Sequence, residues 1–416
     1  MEKSLAAQLE KQLSPGSLDL IRTAGALAAE LGFGLYLVGG AVRDILLGRD
    51  SVDLDLVVEG DAPELAASLA GRINAALLVH RRFGTARLRR HEMVVDLATA
   101  RSETYSHPGA LPAVSPGSIA DDLQRRDFTI NAMAANLGPG RFGALVDPFS
   151  GEADLSRGLI RILHDRSFID DATRMLRAVR YEQRFGFRLE ESTGLLLRRD
   201  LSMLETISGD RIRHELELIL KEDRPENALQ RAQALGLLQM VHPSLKADGW
   251  LRDRYELARS LSPTSMTLSL ALLTYRLGGD EMEDLIARLR IPGRAAAVIR
   301  DACRLKAGLP SLDEPGLPPS SIHRLLRGYS PTSVLACALA SDSAAVRDRL
   351  RLYLDRWRYV KTSLNGELLQ QMGLSPGPRL GEMLGALLEA KLDGRVKTRE
   401  DEVQFVRLRL AGGGNS

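Results

Sequence analysis

The sequence is poor in residues that mark several common protein classes. Its 416 residues include only two cysteines, two tryptophans and 5% aromatic residues. Cys303 and Cys337 cannot build a disulfide framework or a zinc cluster, so the sequence predicts a protein of the reducing cytoplasm. The seven histidines show no metal-ligand spacing, and the C-terminal half has no histidine–aspartate pairing typical of phosphohydrolases.

Long hydrophobic runs are also missing. The N-terminal segment mixes charges with leucines and lacks the apolar core of a secretion signal, and no run approaches the length of a membrane span. The formal net charge is only +2, so binding to nucleic acid would require local basic patches. The remaining composition, 44% hydrophobic and 26% charged, is that of a globular protein, and the length indicates two to four domains.

Hydrophobic periodicity predicts an α+β head followed by a long helical part. Residues 1–33 indicate helices, and residues 34–100 mix strands with helices. Residues 101–122 are rich in proline, glycine and serine and predict a long loop. From about Ser167 the pattern is almost wholly helical.

Two aspartates interrupt an apolar strand pattern in the head. Residues i and i+2 of a strand share a face, so Asp53 and Asp55 project together while Leu54 and Leu56 face a core. Two carboxylates this close repel each other unless a cation lies between them, and Mg²⁺ prefers carboxylate oxygens. Asp96, on another apolar strand pattern, is the candidate third ligand. A solvated strand face is the alternative interpretation of an isolated Asp-x-Asp.

A double glycine, Gly39-Gly40, lies between a strand pattern and a short helix pattern. Unobstructed backbone N–H groups at such a turn suit a phosphate, and Arg43 adds a guanidinium group for the same anion. The glycine fingerprint of dinucleotide-binding folds and the Walker A sequence are both absent. Alone, the double glycine predicts only a tight turn. Together with the Asp-x-Asp on the next strand, it indicates a site for a nucleoside triphosphate.

Five ordered motifs carry a family resemblance. They resemble the signatures of the class II tRNA nucleotidyltransferases and bacterial poly(A) polymerases, a branch of the polymerase-β-like nucleotidyltransferases. The motifs are 37–58, 125–134, 147–161, 170–187 and 209–220, and 364–390 more loosely resembles the tail element of the family.

The resemblance implies a fold and a reaction. We expect a polymerase-β-like nucleotidyltransferase head with a small mixed sheet over 1–146, then an all-α neck (147–225), body (226–320) and tail (321–416). The implied reaction is the protein-templated addition of CCA, or part of it, to tRNA 3′ ends from CTP and ATP. By resemblance, Asp53 and Asp55 hold Mg²⁺, and both are catalytic together with Asp96.

The second and fourth motifs supply candidate nucleotide contacts. By resemblance, Arg126, Asp127 and Asn131 contact the ribose and phosphates, although the same residues are also typical of an ordinary helix start. Arginines recur every three or four residues in the fourth motif, so they share one helix face. The candidates there are Asp171 and Arg174 for the base and Arg177 and Arg180 for phosphates.

An Asp–Arg pair has a defined base preference. The carboxylate accepts a hydrogen bond from an exocyclic amine, and the guanidinium donates one to the adjacent ring nitrogen. Cytosine and adenine both present this amine beside an acceptor nitrogen, whereas guanine and uracil present a carbonyl beside an N–H. The family usually has glutamate where this chain has Asp170, which puts switching from C to A in doubt. The 101–122 loop falls where the family keeps a flexible element needed for adding the terminal A.

Basic and aromatic residues alternate in the C-terminal part, where Arg351, Arg358 and Lys361 are candidate RNA contacts. The predicted partners are tRNA, CTP and ATP, with no DNA and no membrane, and the sequence leaves the oligomeric state open. Full CCA addition is favoured. Addition of A alone or of CC alone, a bacterial poly(A) polymerase, and an inactive RNA-binding homologue remain alternatives.

Overall fold

The computed structural model describes residues 3–49, 53–107, 109–110, 112–261 and 265–412. The chain forms two compact units, one containing the residues up to Glu222 with Arg231–Val241, the other containing Asp223–Gln230 with the residues from His242 onward. The expected head–neck boundary at 146 therefore lies inside the first unit. The division into four parts stays a prediction.

The first part of the chain combines helices with a sheet. Its α-helices are α1 (Ala6–Gln12), α2 (Pro15–Glu30), α3 (Gly40–Leu46), α4 (Ala62–Ile73), α5 (Ile119–Gln124), α6 (Gly151–Arg157), α7 (Ser167–Asp170), α8 (Thr173–Phe185), α9 (Glu191–Arg199), α10 (Gly209–Leu220), α11 (Pro225–Ala234) and α12 (Leu237–Val241). Short 3₁₀ helices lie at Arg81–Phe83, Thr129–Asn131, Pro139–Arg141 and Leu201–Glu205.

The strands form one seven-stranded mixed sheet and two small pairs. They are β1 (Gly34–Val38), β2 (Leu54–Glu59), β3 (Ala76–His80), β4 (Thr85–Arg90), β5 (Met93–Thr99), β6 (Arg101–Thr104), β7 (Ala113–Pro116), β8 (Ala134–Asn136), β9 (Leu145–Val146), β10 (Leu159–Ile160) and β11 (Arg188–Leu189). Within the described residues the large sheet has the order β3-β4-β5-β2-β1-β8-β9, and only its β2–β5 pair is parallel. The predicted α+β class is confirmed.

Local sequence explains where several of these elements begin. Ser14 caps α2 by accepting from the Ser17 amide at 3.1 Å, and Pro15 occupies the first helical position, where its missing N–H costs nothing. In β2, Leu54 and Leu56 are buried while Asp55 is exposed, as the alternation predicts.

The prediction of a long loop over 101–122 is wrong for much of that segment. β6 and β7 pair as an antiparallel hairpin, with Arg101 opposite Pro116 and Thr104 opposite Ala113. Helix α5 then begins behind a capping box in which Ser118 and Asp121 bond reciprocally. These strands are four residues each and too short to show a readable alternation, so proline and glycine dominated the sequence pattern.

The second unit is helical throughout its described residues. Its α-helices are α13 (Gly249–Leu261), α14 (Met266–Thr274), α15 (Gly279–Leu289), α16 (Gly293–Gly308), α17 (Pro319–Leu326), α18 (Pro331–Ala340), α19 (Ala344–Asp355), α20 (Gly366–Gln371), α21 (Pro378–Leu392) and α22 (Arg399–Gly412), with 3₁₀ turns at Leu309–Leu312 and Trp357–Tyr359. One core cluster includes Ile322, Leu326 and Leu350, and another includes Leu369, Leu387 and Val406. In the described residues no helix is long and apolar enough to cross a membrane.

A buried glutamate ties together the end of the second unit. Glu402 on α22 has no solvent exposure and accepts from Lys391 Nζ at 2.6 Å and from the Ser363 and Leu364 amides. Burial alone would raise its pKa, but Lys391 and the two amides hold the pKa of Glu402 below its usual range. The ionised form of the Glu402 carboxylate is therefore stabilised by Lys391 and the two amides.

We expect Glu402→Ala to destabilise the second unit by about 3 kcal/mol, because Lys391 Nζ and the Ser363 and Leu364 amides lose an acceptor that is itself fully buried. Urea unfolding of the full chain, followed by circular dichroism, measures this effect. Glu400→Ala, at an exposed position on the same helix, is the matched control and should change stability by no more than about 0.5 kcal/mol. Equal effects of the two substitutions would contradict the assigned role.

Candidate active site

Three aspartates lie on, or directly before, two neighbouring strands of the sheet. Asp55 is in β2, Asp53 directly precedes that strand, and Asp96 is in β5. Asp55 and Asp96 are paired in register across the parallel β2–β5 ladder, so their side chains point to the same face from strands about 4.8 Å apart. The structure thus brings together the three residues that the sequence singled out as carboxylate ligands.

The carboxylates of this group repel one another at Asp55. Partial burial raises the pKa of Asp55, and the Asp96 and Asp53 carboxylates raise it further, while Arg126 and Arg87 act in the opposite direction. A nearby cation would stabilise the charged form of a carboxylate in this environment.

Arg87 on β4 supplies positive charge next to Asp96. Its Nε and Nη2 donate to the two carboxylate oxygens of Asp96 at 2.6 and 2.8 Å. The donor chemistry of the three aspartates fits a divalent cation. Within the described residues, however, no group of three or more carboxylate, histidine or cysteine ligands is arranged to hold a metal ion. The role of Asp96 as a third ligand stays a prediction, and it requires that Arg87 release at least one oxygen.

A cavity of about 540 Å³ adjoins Asp55 within the first unit. Seven arginines but only four carboxylates line it, so its walls carry an excess of positive charge that suits a polyphosphate. We call it the nucleotide cavity. Its charged lining residues are Arg43, Arg125, Arg126, Arg174, Arg177, Arg184, Arg211, Asp55, Glu103, Asp127 and Asp171.

The double glycine shapes one end of this cavity. Gly39 has φ +67°, a backbone conformation that favours glycine, and a Cβ atom there would lie 2.6 Å from Arg126 Nη1, so a larger residue would also displace the Arg126 guanidinium. Arg43 is buried on α3, donates to Asn131 Oδ1 at 2.6 Å and pairs with Asp44. Gly40, Arg43, Arg126 and Asn131 all line the cavity.

A buried acid connects the second motif to the fourth. Asp127 accepts from Arg177 Nε and Nη2 at 2.8 and 2.6 Å and from Asn131 Nδ2 at 2.9 Å. Burial would raise its pKa, but Arg177 and Asn131 hold the pKa of Asp127 below its usual range. Asp127 therefore stays ionised and fixes Arg177 and Asn131 at the cavity wall.

Other residues of the protein fix the orientation of Asp171 and Arg174, the candidate base-reading pair. Arg174 is buried and donates to Ser167 Oγ and to the Arg125 carbonyl, both at 2.7 Å. Asp171 accepts at Oδ1 from Arg211 Nη2 at 2.7 Å and from Thr173. Both Asp171 and Arg174 line the nucleotide cavity. Each side chain is thus set in one orientation by protein contacts.

Arg180 is placed differently from the prediction. It does not line the nucleotide cavity; it is buried and donates to Glu215 Oε2 at 3.3 Å, with Glu222 4.0 Å away. At this position the basic face of α8 contacts carboxylates of the protein. The contacts of Arg180 are therefore structural. Gly39 likewise acts through Arg126 and is not itself a lining residue.

Several lining residues were not predicted from the sequence. Tyr105 follows β6 and donates to Glu103 at 2.9 Å, and burial beside this glutamate raises the pKa of Tyr105 to about 12. Arg211 comes from α10, whose motif was recognised without assigning it a contact. Only its place in the fifth motif signalled Arg211, and nothing in the sequence signalled Tyr105.

The candidate RNA contacts lie in the second unit. Arg351 is on α19, and Arg358 and Lys361 follow that helix. Arg358 stacks over the Tyr359 ring with 4.4 Å to its centroid, and Tyr359 is 60% exposed. An arginine stacked on an open ring is a common RNA-binding arrangement, so the three residues stay candidates for this role.

Comparisons with known proteins agree with this geometry. The family described as "Poly A polymerase head domain" matches residues 35–161, and the one described as "Probable RNA and SrmB- binding site of polymerase A" matches residues 186–248. A curated relative from Geobacter sulfurreducens, an A-adding tRNA nucleotidyltransferase, is 34% identical over 97% of this chain and 48% of its own length. A relative of the same name from Halalkalibacterium halodurans is 32% identical over 95% of this chain and 93% of its own length.

Solved structures are also similar to this chain. The Thermotoga maritima CCA-adding enzyme in complex with tRNA has a TM-score of 0.79 and 31% identity, covering 98% of this chain and 99% of that one. The chain spans about half the length of the Geobacter relative and nearly all of the other two proteins.

Proposed function

This chain belongs to the family of tRNA nucleotidyltransferases and bacterial poly(A) polymerases, as its motifs predicted, and we propose that it adds the terminal adenosine to tRNA ending in CC. The observation that carries the proposal is the fixed Asp171–Arg174 pair at the nucleotide cavity, and the identity of 32% and 34% to two A-adding enzymes over nearly the whole chain is consistent with it. Addition of CCA, or part of it, to tRNA ends, which the sequence predicted, agrees with the relatives, and addition of A alone is one of the alternatives that the sequence left open.

The base-reading pair supports a single base specificity. Arg174 is oriented by Ser167 and the Arg125 carbonyl, and Asp170, which stands where the family usually has glutamate, lies 3.9 Å from both His164 and Arg166 and does not line the cavity. The guanidinium of Arg174 is fixed by its two acceptors, and Asp170 lies near His164 and Arg166. Arg174 therefore presents one geometry to the base. Asp171 accepts the exocyclic amine of adenine, and Arg174 donates to the adjacent ring nitrogen.

The remaining lining residues position the triphosphate. Arg43, Arg126 and Arg177 present guanidinium groups to the phosphates, and Asn131 is set to meet a ribose hydroxyl. The RNA 3′-hydroxyl oxygen forms a bond to the α-phosphorus as the bond to the pyrophosphate breaks. Members of the family use divalent metal ions; we propose Mg²⁺ at Asp53 and Asp55, where it would lower the pKa of the attacking hydroxyl and stabilise the leaving pyrophosphate.

Three tRNA transcripts test the proposal, ending at the discriminator base, in C and in CC. Each is incubated with the purified chain and CTP, ATP or both, and the products are sized on a denaturing gel. We expect one adenosine to be added to the CC-ending tRNA and no CTP incorporation into any of the three. Addition of CTP to the two shorter tRNAs would overturn the proposal.

Full CCA addition is the second candidate, because the T. maritima CCA-adding enzyme shares the fold over 98% of this chain. It predicts extension of all three tRNAs when both nucleotides are present. A long adenosine tail would instead identify a poly(A) polymerase, and a product that stops at CC a CC-adding enzyme. We propose the cytoplasm, where tRNA and both nucleotides are available, as its location.

A further inference from the structure

A second cavity, of about 420 Å³, lies against the open face of the sheet. We call it the sheet-face cavity. Asp55, Arg125 and Arg126 line both this cavity and the nucleotide cavity. The two spaces therefore adjoin at the catalytic carboxylate.

The floor of the sheet-face cavity is a row of side chains in register across four strands. Leu78 on β3 pairs with Arg87 on β4, Arg87 with Asp96 on β5, and Asp96 with Asp55 on β2. Paired residues of neighbouring strands share a face, so the row runs from an apolar side chain at the sheet edge to the carboxylates. Leu78 is 54% exposed although it is a large apolar residue.

The row combines an open apolar surface with positive charge. Arg87 has a side chain that is 58% exposed, so the guanidinium that pairs with Asp96 is also reachable from the cavity. Arg89, two residues further along the strand, lies on the same face and is exposed. An apolar surface beside guanidinium groups suits a nucleotide, whose base and ribose pack on one and whose phosphate pairs with the other.

We propose that the sheet-face cavity holds the 3′-terminal nucleotide of the RNA substrate, and that Arg87 is a positioning residue that exchanges Asp96 for the RNA phosphate. The inference rests on the proposed function, because nucleotide transfer needs the RNA 3′-hydroxyl beside the α-phosphate at Asp55. The nucleotide cavity and the sheet-face cavity meet at Asp55, so the nucleoside triphosphate takes the first and the RNA end takes the second. Leu78 packs against the terminal ribose and base, and Arg87 pairs with the preceding phosphate.

The exchange couples RNA binding to the carboxylates. As long as Arg87 donates to both oxygens of Asp96, that carboxylate is neutralised by protein. When Arg87 turns to the RNA phosphate, the charge of Asp96 becomes available to a cation. Removing Arg87 should therefore have opposite effects on the two ligands: weaker RNA binding and tighter binding of a divalent cation.

Two variants test this, Arg87→Ala and Leu78→Glu, with Arg90→Ala as the matched control. Arg90 is an exposed arginine on the same strand whose side chain faces the opposite side of the sheet. Binding of fluorescent CC-ending tRNA is measured by anisotropy in EDTA over a range of salt concentrations. Binding of Mn²⁺ to the RNA-free protein is measured by electron paramagnetic resonance, and steady-state kinetics give KM for tRNA and for ATP.

We expect Arg87→Ala to weaken tRNA binding about tenfold, with the slope of log K against log salt reduced by about 0.7–0.9, as for one lost phosphate contact. It should raise KM for tRNA but not for ATP, and should tighten Mn²⁺ binding. Leu78→Glu should weaken tRNA binding at least as much, and Arg90→Ala should change none of these quantities.

The inference is overturned if the wild-type chain extends tRNA while both variants bind tRNA as Arg90→Ala does, or if Arg87→Ala loses Mn²⁺ binding together with RNA binding. If the wild-type chain extends none of the tRNAs, the proposed function itself fails. The two failures are therefore distinguishable.

Discussion

Replacing Asp55 by asparagine should reduce nucleotide addition on the order of a thousandfold or more while leaving the fold intact. Asp55 is exposed on β2 and adjoins both cavities, so the substitution removes a carboxylate from the reacting centre without opening a space in the core. Single-turnover incorporation of labelled ATP into CC-ending tRNA measures the loss.

The thermal stability of Asp55→Asn separates a catalytic effect from a folding defect. The raised pKa of Asp55 means that its ionised form is disfavoured in the folded chain, so loss of the charge should leave the Tm unchanged or slightly higher at neutral pH. Glu92→Gln, at an exposed position in the turn between β4 and β5, is the control and should keep full activity. An active Asp55→Asn enzyme would refute the assignment of the carboxylate group.

The second large effect concerns Asp127. Asp127→Asn should destabilise the first unit by about 3 kcal/mol, because Arg177 keeps its charge and loses the buried carboxylate that neutralises it. For a unit of this size, that corresponds to a decrease in Tm of about 6–12 °C, measured by scanning calorimetry of the full chain. Activity should fall as well, since Arg177 and Asn131 line the nucleotide cavity.

The pH dependence gives a signature of the Asp127 charge. The pKa of Asp127 is depressed in the folded chain, so its contribution to stability is fully present above the unfolded value of about 3.9 and is lost as the pH falls through the lower, folded value. The Tm difference between wild type and Asp127→Asn should therefore be constant from pH 7 down to about pH 5 and narrow below about pH 4. Asp165→Asn, at an exposed position, should show no such difference. A gap that widens in acid would show that another group is responsible.

Much of the head was readable from local sequence because strand alternation is a local signal. Strands β1, β2 and β5 lie where the apolar patterns predicted them, and Asp55 projects away from Leu54 and Leu56 as the two-residue period requires. The glycines at the β1–α3 turn and the position of Asp171 and Arg174 at one cavity followed from motifs within single segments.

What the sequence did not reveal depends on pairing between distant segments. Arg180 was assigned to phosphate because its helix face is basic, but its partner Glu215 is 35 residues away on α10. Arg87 meets Asp96 only because β4 and β5 pair in one particular register. A one-residue change of that register would move Arg87 to the opposite face. Neither the composition nor the spacing of the sequence indicates which register forms.

Strand β3 lies at an edge of the large sheet, which has a consequence for the behaviour of the protein in concentrated solution. An edge strand with exposed leucines, here Leu77 and Leu78, offers a template on which another chain can add a strand and begin to aggregate. Arg81 and Arg82 follow the strand directly and are both exposed. Their like charges repel a second copy of this edge, and high salt, which screens that repulsion, is the condition under which self-association would begin there.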